Sequence, residues 1–201
     1  MAQEPSATPW WRRALRVGFL SFMLAALVNY IGQAALQSAP VILAFLIILL
    51  LIAVGISFDI LGTSVTAGDP TPLNAMAAKR VTGARQALWL VKNADKVANF
   101  ANDVVGDVTG AVTGAAGSTV AIQVSRGLDP DSLASTLISL AVIGLIAGLT
   151  VGGKAAGKTF AMEHATDVLT LVGRLLYSLE RLTGRSFTGS RGPNSSRRRT
   201  T

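Results

Sequence analysis

Two carboxylates, Asp103 and Asp107, lie four residues apart in the stretch NFANDVVGDVTGAVTGAAG at 99–117. That spacing places them on one face of a helix, and Gly110, Gly114 and Gly117 continue the same face. Asn99 and Asn102 add amide oxygens about one turn earlier. Carboxylate and amide oxygens are what a hard cation takes as ligands, usually keeping part of its water. A third carboxylate, Asp59, ends one long uncharged run, and Lys154 ends another. Other chemistries find little support. There is no cysteine and a single histidine, His164, so thiolate sites and histidine clusters are excluded. No nucleophile, base and orienting residue fall into a recognisable arrangement, which argues against an enzyme.

The elements that must position these groups are apolar. Half of the residues are hydrophobic (50%) and only 14% are charged, too greasy a balance for an ordinary soluble domain. No charged residue occurs from Val17 to Phe58 or from Leu133 to Gly153. Either run exceeds the roughly 20 residues that cross a bilayer as helix. Arg12, Arg13 and Arg16 precede the first run as they would in a signal peptide. The run is too long for one, however, and a second, stronger run follows Pro40, so a retained span is expected.

The spacing therefore predicts an all-α membrane protein with about four transmembrane helices and two amphipathic interfacial helices. Residues 1–14 form a cytoplasmic N-terminus and 15–36 the first span. QSAP at 37–40 turns the chain into a second span over 41–61. Pro70 and Pro72 mark TAGDPTP as a loop. Leu73 to Lys92 reads as a surface helix in which Met76, Val81, Leu88 and Trp89 alternate with Lys79, Arg80, Arg85 and Lys92, suited to anionic lipid headgroups. The third span is expected within 95–124. RGLDPDS at 126–132 is a turn, with Asp131 or Ser132 capping a fourth span over 133–153. Val168, Leu171, Val172, Leu175, Leu176, Leu179 and Leu182 then recur at helical spacing, a second surface helix. Residues 184–201 read as a disordered basic tail.

With four spans and both ends cytoplasmic, every Lys and Arg except Arg126 falls on the inner side, as the positive-inside rule requires. This accounts for the net charge of +7. Nucleic acid is not expected as a partner, because the basic residues border spans instead of forming one soluble face. The expected location is a cell membrane, crossed several times.

At about 1.5 Å per residue from an inner boundary near Lys96, Asp103 lies roughly 10 Å deep and Asp107 near mid-bilayer. Asp59 and Lys154 fall near the depth of Asp103. Two readings follow. Asp59, Asn102, Asp103 and Asp107 could surround a cation on its path, or Lys154 could pair with Asp59 or Asp103 structurally. Gly106, Gly110 and Gly114 form a small-xxx-small pattern that admits close helix contact, including that of a homodimer.

GGKAAGKT at 152–159 matches the phosphate-binding P-loop pattern, in which Lys158 would hold phosphates and Thr159 a magnesium ion. The preceding run has membrane length, and too few residues follow for a parallel sheet, so nucleotide binding is disfavoured. The same stretch resembles something else. GKAAGKTFA at 153–161 is similar to G-E-x-x-P-K-T-x-A, which ends the last span of the CNNM/CorC magnesium-transporter transmembrane domain. TDVLTLVGRLLYSLERL looks like the amphipathic helix that follows there, NADKVANFANDVVGDVTG like the stretch with P-D-R-L opening the middle span, and FDILGTSVT like the small-polar end of that family's first span. The likeness covers about 41–183, within a domain reaching from residue 37, and leaves the span at 15–36 as an addition. It implies a shared membrane fold and magnesium transport. The departures fall on the ligands: the family's cation-binding glutamate is Lys154 here, and its proline is Gly157. The serine and glutamate cluster of its first span gives way to Asp59, Leu61 and Gly62, and its Gly-Asn pair is approximated by Gly106 and Asp107. The regulatory CBS domains have no counterpart in the sequence.

Overall fold

The computed structural model describes residues 10–37 and 39–184. Most of the expected N-terminal segment and nearly all of the basic tail lie outside them. The described residues are helical, with no strand among them: α1 (Trp10–Gln37), α2 (Val41–Ala67), α3 (Pro70–Ala78), α4 (Ala84–Lys92), α5 (Ala94–Ala98), a π-helical segment (Asn99–Gly106), α6 (Asp107–Val124), α7 (Leu133–Glu163) and α8 (Ala165–Thr183). Three helices are long and apolar enough to cross a membrane: α1 over Ala14–Gly32, α2 and α7. Leu15, Phe19, Ile42, Leu50, Leu137 and Leu140 on them are exposed, an apolar surface that suits lipid and not water. The region expected as a third span is helical, but α6 is only 18 residues long, rich in Gly, Ala and Thr, and not among the three.

The chain forms two compact units. The first comprises the described residues up to Asp59 together with Phe100–Gly157. Its core joins Leu36 of α1, Ala44, Ile48 and Ile52 of α2, Ala116 and Val120 of α6, and Ile146 of α7. The alanines let helices approach closely, which matters where lipid removes the hydrophobic drive for helix association. At one end of this unit Gln123 Nε2 donates to Leu36 O at 2.7 Å, satisfying a carbonyl in the last turn of α1.

The second unit comprises Ile60–Asn99 together with the described residues from Lys158. Asp69 caps α3 by accepting from Thr71 N at 2.8 Å, and Pro70 begins the helix. That backbone hydrogen bond holds the Asp69 carboxyl below the usual carboxylate range. The single surface helix expected over 73–92 is two helices. The chain breaks after Ala78, with Arg80 (φ 58°) and Gly83 (φ 83°) both left-handed. Gly83 packs against the backbone of Gly173 and Arg174 in α8, where any Cβ would overlap Arg174 N. The break lets α4 present Ala87 and Leu90 to the same core as Leu73 and Leu169. Gln86 Nε2 donates to Glu180 Oε2 at 2.6 Å beside that core. On α8 the expected apolar stripe divides: Val172 and Leu176 pack against this core beside buried Leu169, which the stripe left out, whereas Leu171, Leu175, Leu179 and Leu182 are exposed.

Candidate ion site at Asp59 and Lys154

Within the first unit, α2 carries no charge until Asp59 and α7 none until Lys154. These two meet. Lys154 Nζ lies 3.3 Å from Asp59 Oδ2, and the side chains are 22% and 4% exposed. The contact is Coulombic more than directional, since Oδ2 has no partner with hydrogen-bond geometry. The directed bond of Nζ goes to Gly106 O, at 3.0 Å.

Gly106 ends the π-helical segment, whose widened turn is a feature frequent at functional sites. Its carbonyl also accepts from Thr109 Oγ1 at 3.0 Å, and the same hydroxyl donates to Val105 O at 2.6 Å. The glycine is required by proximity: a Cβ at 106 would stand 2.8 Å from Asp59 Oδ1 and 3.3 Å from Ala101 O. A carboxylate and a backbone carbonyl thus meet one ammonium, and the Thr109 hydroxyl bonds to that same carbonyl. All are hard oxygen donors of the kind that hold cations. Asn102, one turn before Gly106, has a buried Oδ1 with no hydrogen-bond partner.

Asp103 and Asp107 are placed differently. Both are exposed, and α6 packs through Val108, Thr109, Val112, Thr113, Ala116 and Val120. The expectation that the Asp–Gly stripe is the packed inner face is therefore corrected. Branched residues on the other side of α6 fill the core better, and Thr109 and Thr113 satisfy their hydroxyls on carbonyls of their own helix. Gly110 and Gly114 face open space, while Gly117 meets Ile146. Beside them runs a groove of about 310 Å³, lined by residues that include Gly110, Gly114, Ala147, Thr150 and Lys154. Among the described residues, no three acidic, histidine or cysteine side chains converge as a metal cluster would need.

Ser132 fulfils the expected capping role, its Oγ accepting from Ser135 N at 3.2 Å. Residues 152–159 are continuous helix within α7, so the P-loop-like sequence forms no loop at all. Neither Thr109 nor the Gly106 carbonyl was legible in the sequence as part of the site. Gly106 stood out only as a small residue, since a carbonyl contribution leaves no mark on side-chain identity.

No family model, curated protein or solved structure matches this chain. The resemblance to the CNNM/CorC transmembrane domain rests on the quoted residues alone.

Proposed function

We propose that this chain is an integral cell-membrane protein that binds, and passes, a hard cation at the Asp59 centre, with Mg2+ the leading candidate. In this reading the segment around α6 supplies a fourth crossing beside α1, α2 and α7. Both termini are cytoplasmic, and α4 and α8 lie against anionic headgroups. Asp103 and Asp107 act at the approach to the centre, and a second copy of the chain is the candidate cover for the open side of α6. The observation that carries the proposal is the burial of Asp59, which is only 3% exposed, against a glycine carbonyl and a single ammonium. Ionisable groups inside membrane helices are rare and are functional by default.

The rival reading is a non-transporting membrane subunit in which Lys154 neutralises Asp59 permanently. The failure of Asp103 and Asp107 to join Asp59 in one cluster favours it. The two readings separate on the melting temperature of the detergent-purified protein titrated with magnesium, calcium and sodium, for wild type and Asp59→Asn. A ligand that binds only the folded state raises it. Saturable stabilisation by magnesium that is lost in Asp59→Asn supports the cation centre. Indifference to every cation leaves the subunit reading.

A further inference from the structure

We propose that Lys154 is a tethered competitor for the cation at Asp59: its ammonium holds the site at rest, and the cation binds by displacing it. The inference rests on the reading of Asp59 as a cation centre. Three observations point to it.

The first is where the ammonium sits. Nζ is within 3.3 Å of Asp59 Oδ2 and 3.0 Å of Gly106 O, so it takes two of the oxygens that a small cation would need. A second positive charge could not share one buried carboxylate with it, because at low dielectric the two cations repel strongly. Occupancy is exclusive. The second is the asymmetry of burial. The Asp59 side chain is sealed, whereas that of Lys154 is 22% exposed. A long, flexible stem can carry the charged head towards water while its methylenes stay packed. The third is the space it would enter. Lys154 lines the groove of about 310 Å³ beside α6, where Gly110 and Gly114 leave nothing within 4 Å of a would-be Cβ. The ammonium therefore has somewhere to go without disturbing the core.

A tether of this kind lowers apparent affinity by the fraction of time that the site is free. If the pair is closed about 99% of the time, cation affinity falls about 100-fold. Removing the ammonium should restore it.

The test is a thermal titration of EDTA-stripped, detergent-purified protein with magnesium chloride and, separately, sodium chloride. The variants are wild type, Asp59→Asn, Lys154→Gln, Lys154→Met and the double variant Asp59→Asn/Lys154→Gln. Lys154→Gln keeps a donor for Gly106 O without the charge, and so guards against simple unfolding. The expected result is a midpoint at least about 10-fold lower in Lys154→Gln than in wild type, with no response in the double variant. If both Lys154 variants unfold when stripped, recovery by magnesium or sodium supports the proposal equally, and failure to recover overturns it. A folded Lys154→Gln with an unchanged or weaker midpoint also overturns it. Should wild type and Asp59→Asn respond alike, the underlying reading of Asp59 fails. Should only the Lys154 variants disappoint, the centre stands and the tether falls.

Discussion

A double-mutant cycle on Asp59 and Lys154 probes the site without assuming any ligand. At a separation of 3.3 Å and an effective dielectric near 20, their gross attraction is about 5 kcal/mol. Desolvation of each charge drops out of the cycle, so the coupling free energy should be about 3–7 kcal/mol. The two single variants should be unequal. Lys154→Met strands a carboxylate whose side chain is 4% exposed, and should cost about 3–5 kcal/mol. Asp59→Asn leaves an ammonium that keeps Gly106 O and can turn towards water, so about 1–2 kcal/mol is expected. The double variant should return to within about 1 kcal/mol of wild type, because neither charge is then abandoned. The assay is unfolding in mixed detergent–SDS micelles with EDTA present, followed by helical circular dichroism. A coupling below about 0.5 kcal/mol, or Asp59→Asn as damaging as Lys154→Met, would refute the buried pair.

Gly106→Ala should destabilise by about 1–3 kcal/mol, because its methyl would stand 2.8 Å from Asp59 Oδ1. In an Asp59→Ala background most of that loss should vanish, and an equal loss in both backgrounds would place the strain elsewhere. Gly83→Ala meets a left-handed cost of about 1–2 kcal/mol and an overlap with the α8 backbone that no rotamer relieves. Hydrogen exchange should then accelerate in α4 and α8 together, and protection unchanged there would contradict the observed packing. The chain has no cysteine, so single introduced cysteines report topology cleanly. Four spans require Leu128→Cys to react with an impermeant maleimide from outside and Lys79→Cys only after permeabilisation. Labelling of both from one side would reduce the count to the three strongly apolar helices.

Much of the helical layout was legible because charge and proline mark its limits. The uncharged runs located α1, α2 and α7, and Ser132 announced the start of α7, whereas Pro70, read as loop, is the first residue of α3. A partner for Lys154 was legible in part: depth left Asp59 and Asp103 both open, and the pair that forms is with Asp59. Two things were not. A period of 3.6 residues assumes a regular helix, and the π-helical turn at 99–106 breaks that assumption just before α6. The Asp–Gly stripe looked like a packing face because small residues permit contact. Permission is weaker than the fit of Val108, Val112 and Val120, which took the core. The interruption of the surface helix was hidden for a similar reason. Its amphipathic pattern resumes after Gly83, and the left-handed turns at Arg80 and Gly83, the latter packed against α8, separate α3 from α4.

The placement of charge says most about the solvent that each helix meets. Asp59 and Lys154 cancel, so the ends of α2 and α7 can enter a low-dielectric region as a neutral pair. Asp103 and Asp107 have no such arrangement, being exposed one turn apart. Facing lipid near mid-bilayer, each would cost about 2.5–3.5 kcal/mol. If the segment around α6 crosses the membrane as proposed, the exposed side of residues 103–107 would therefore adjoin water or a second polypeptide. In the proposed topology that wet or covered side lies next to Gly106, whose carbonyl is bound by the Lys154 ammonium. A route for a hydrated cation and a route of retreat for the ammonium would then begin at the same place. The proposed displacement at Asp59 would then depend on how far water penetrates beside the π-helical turn.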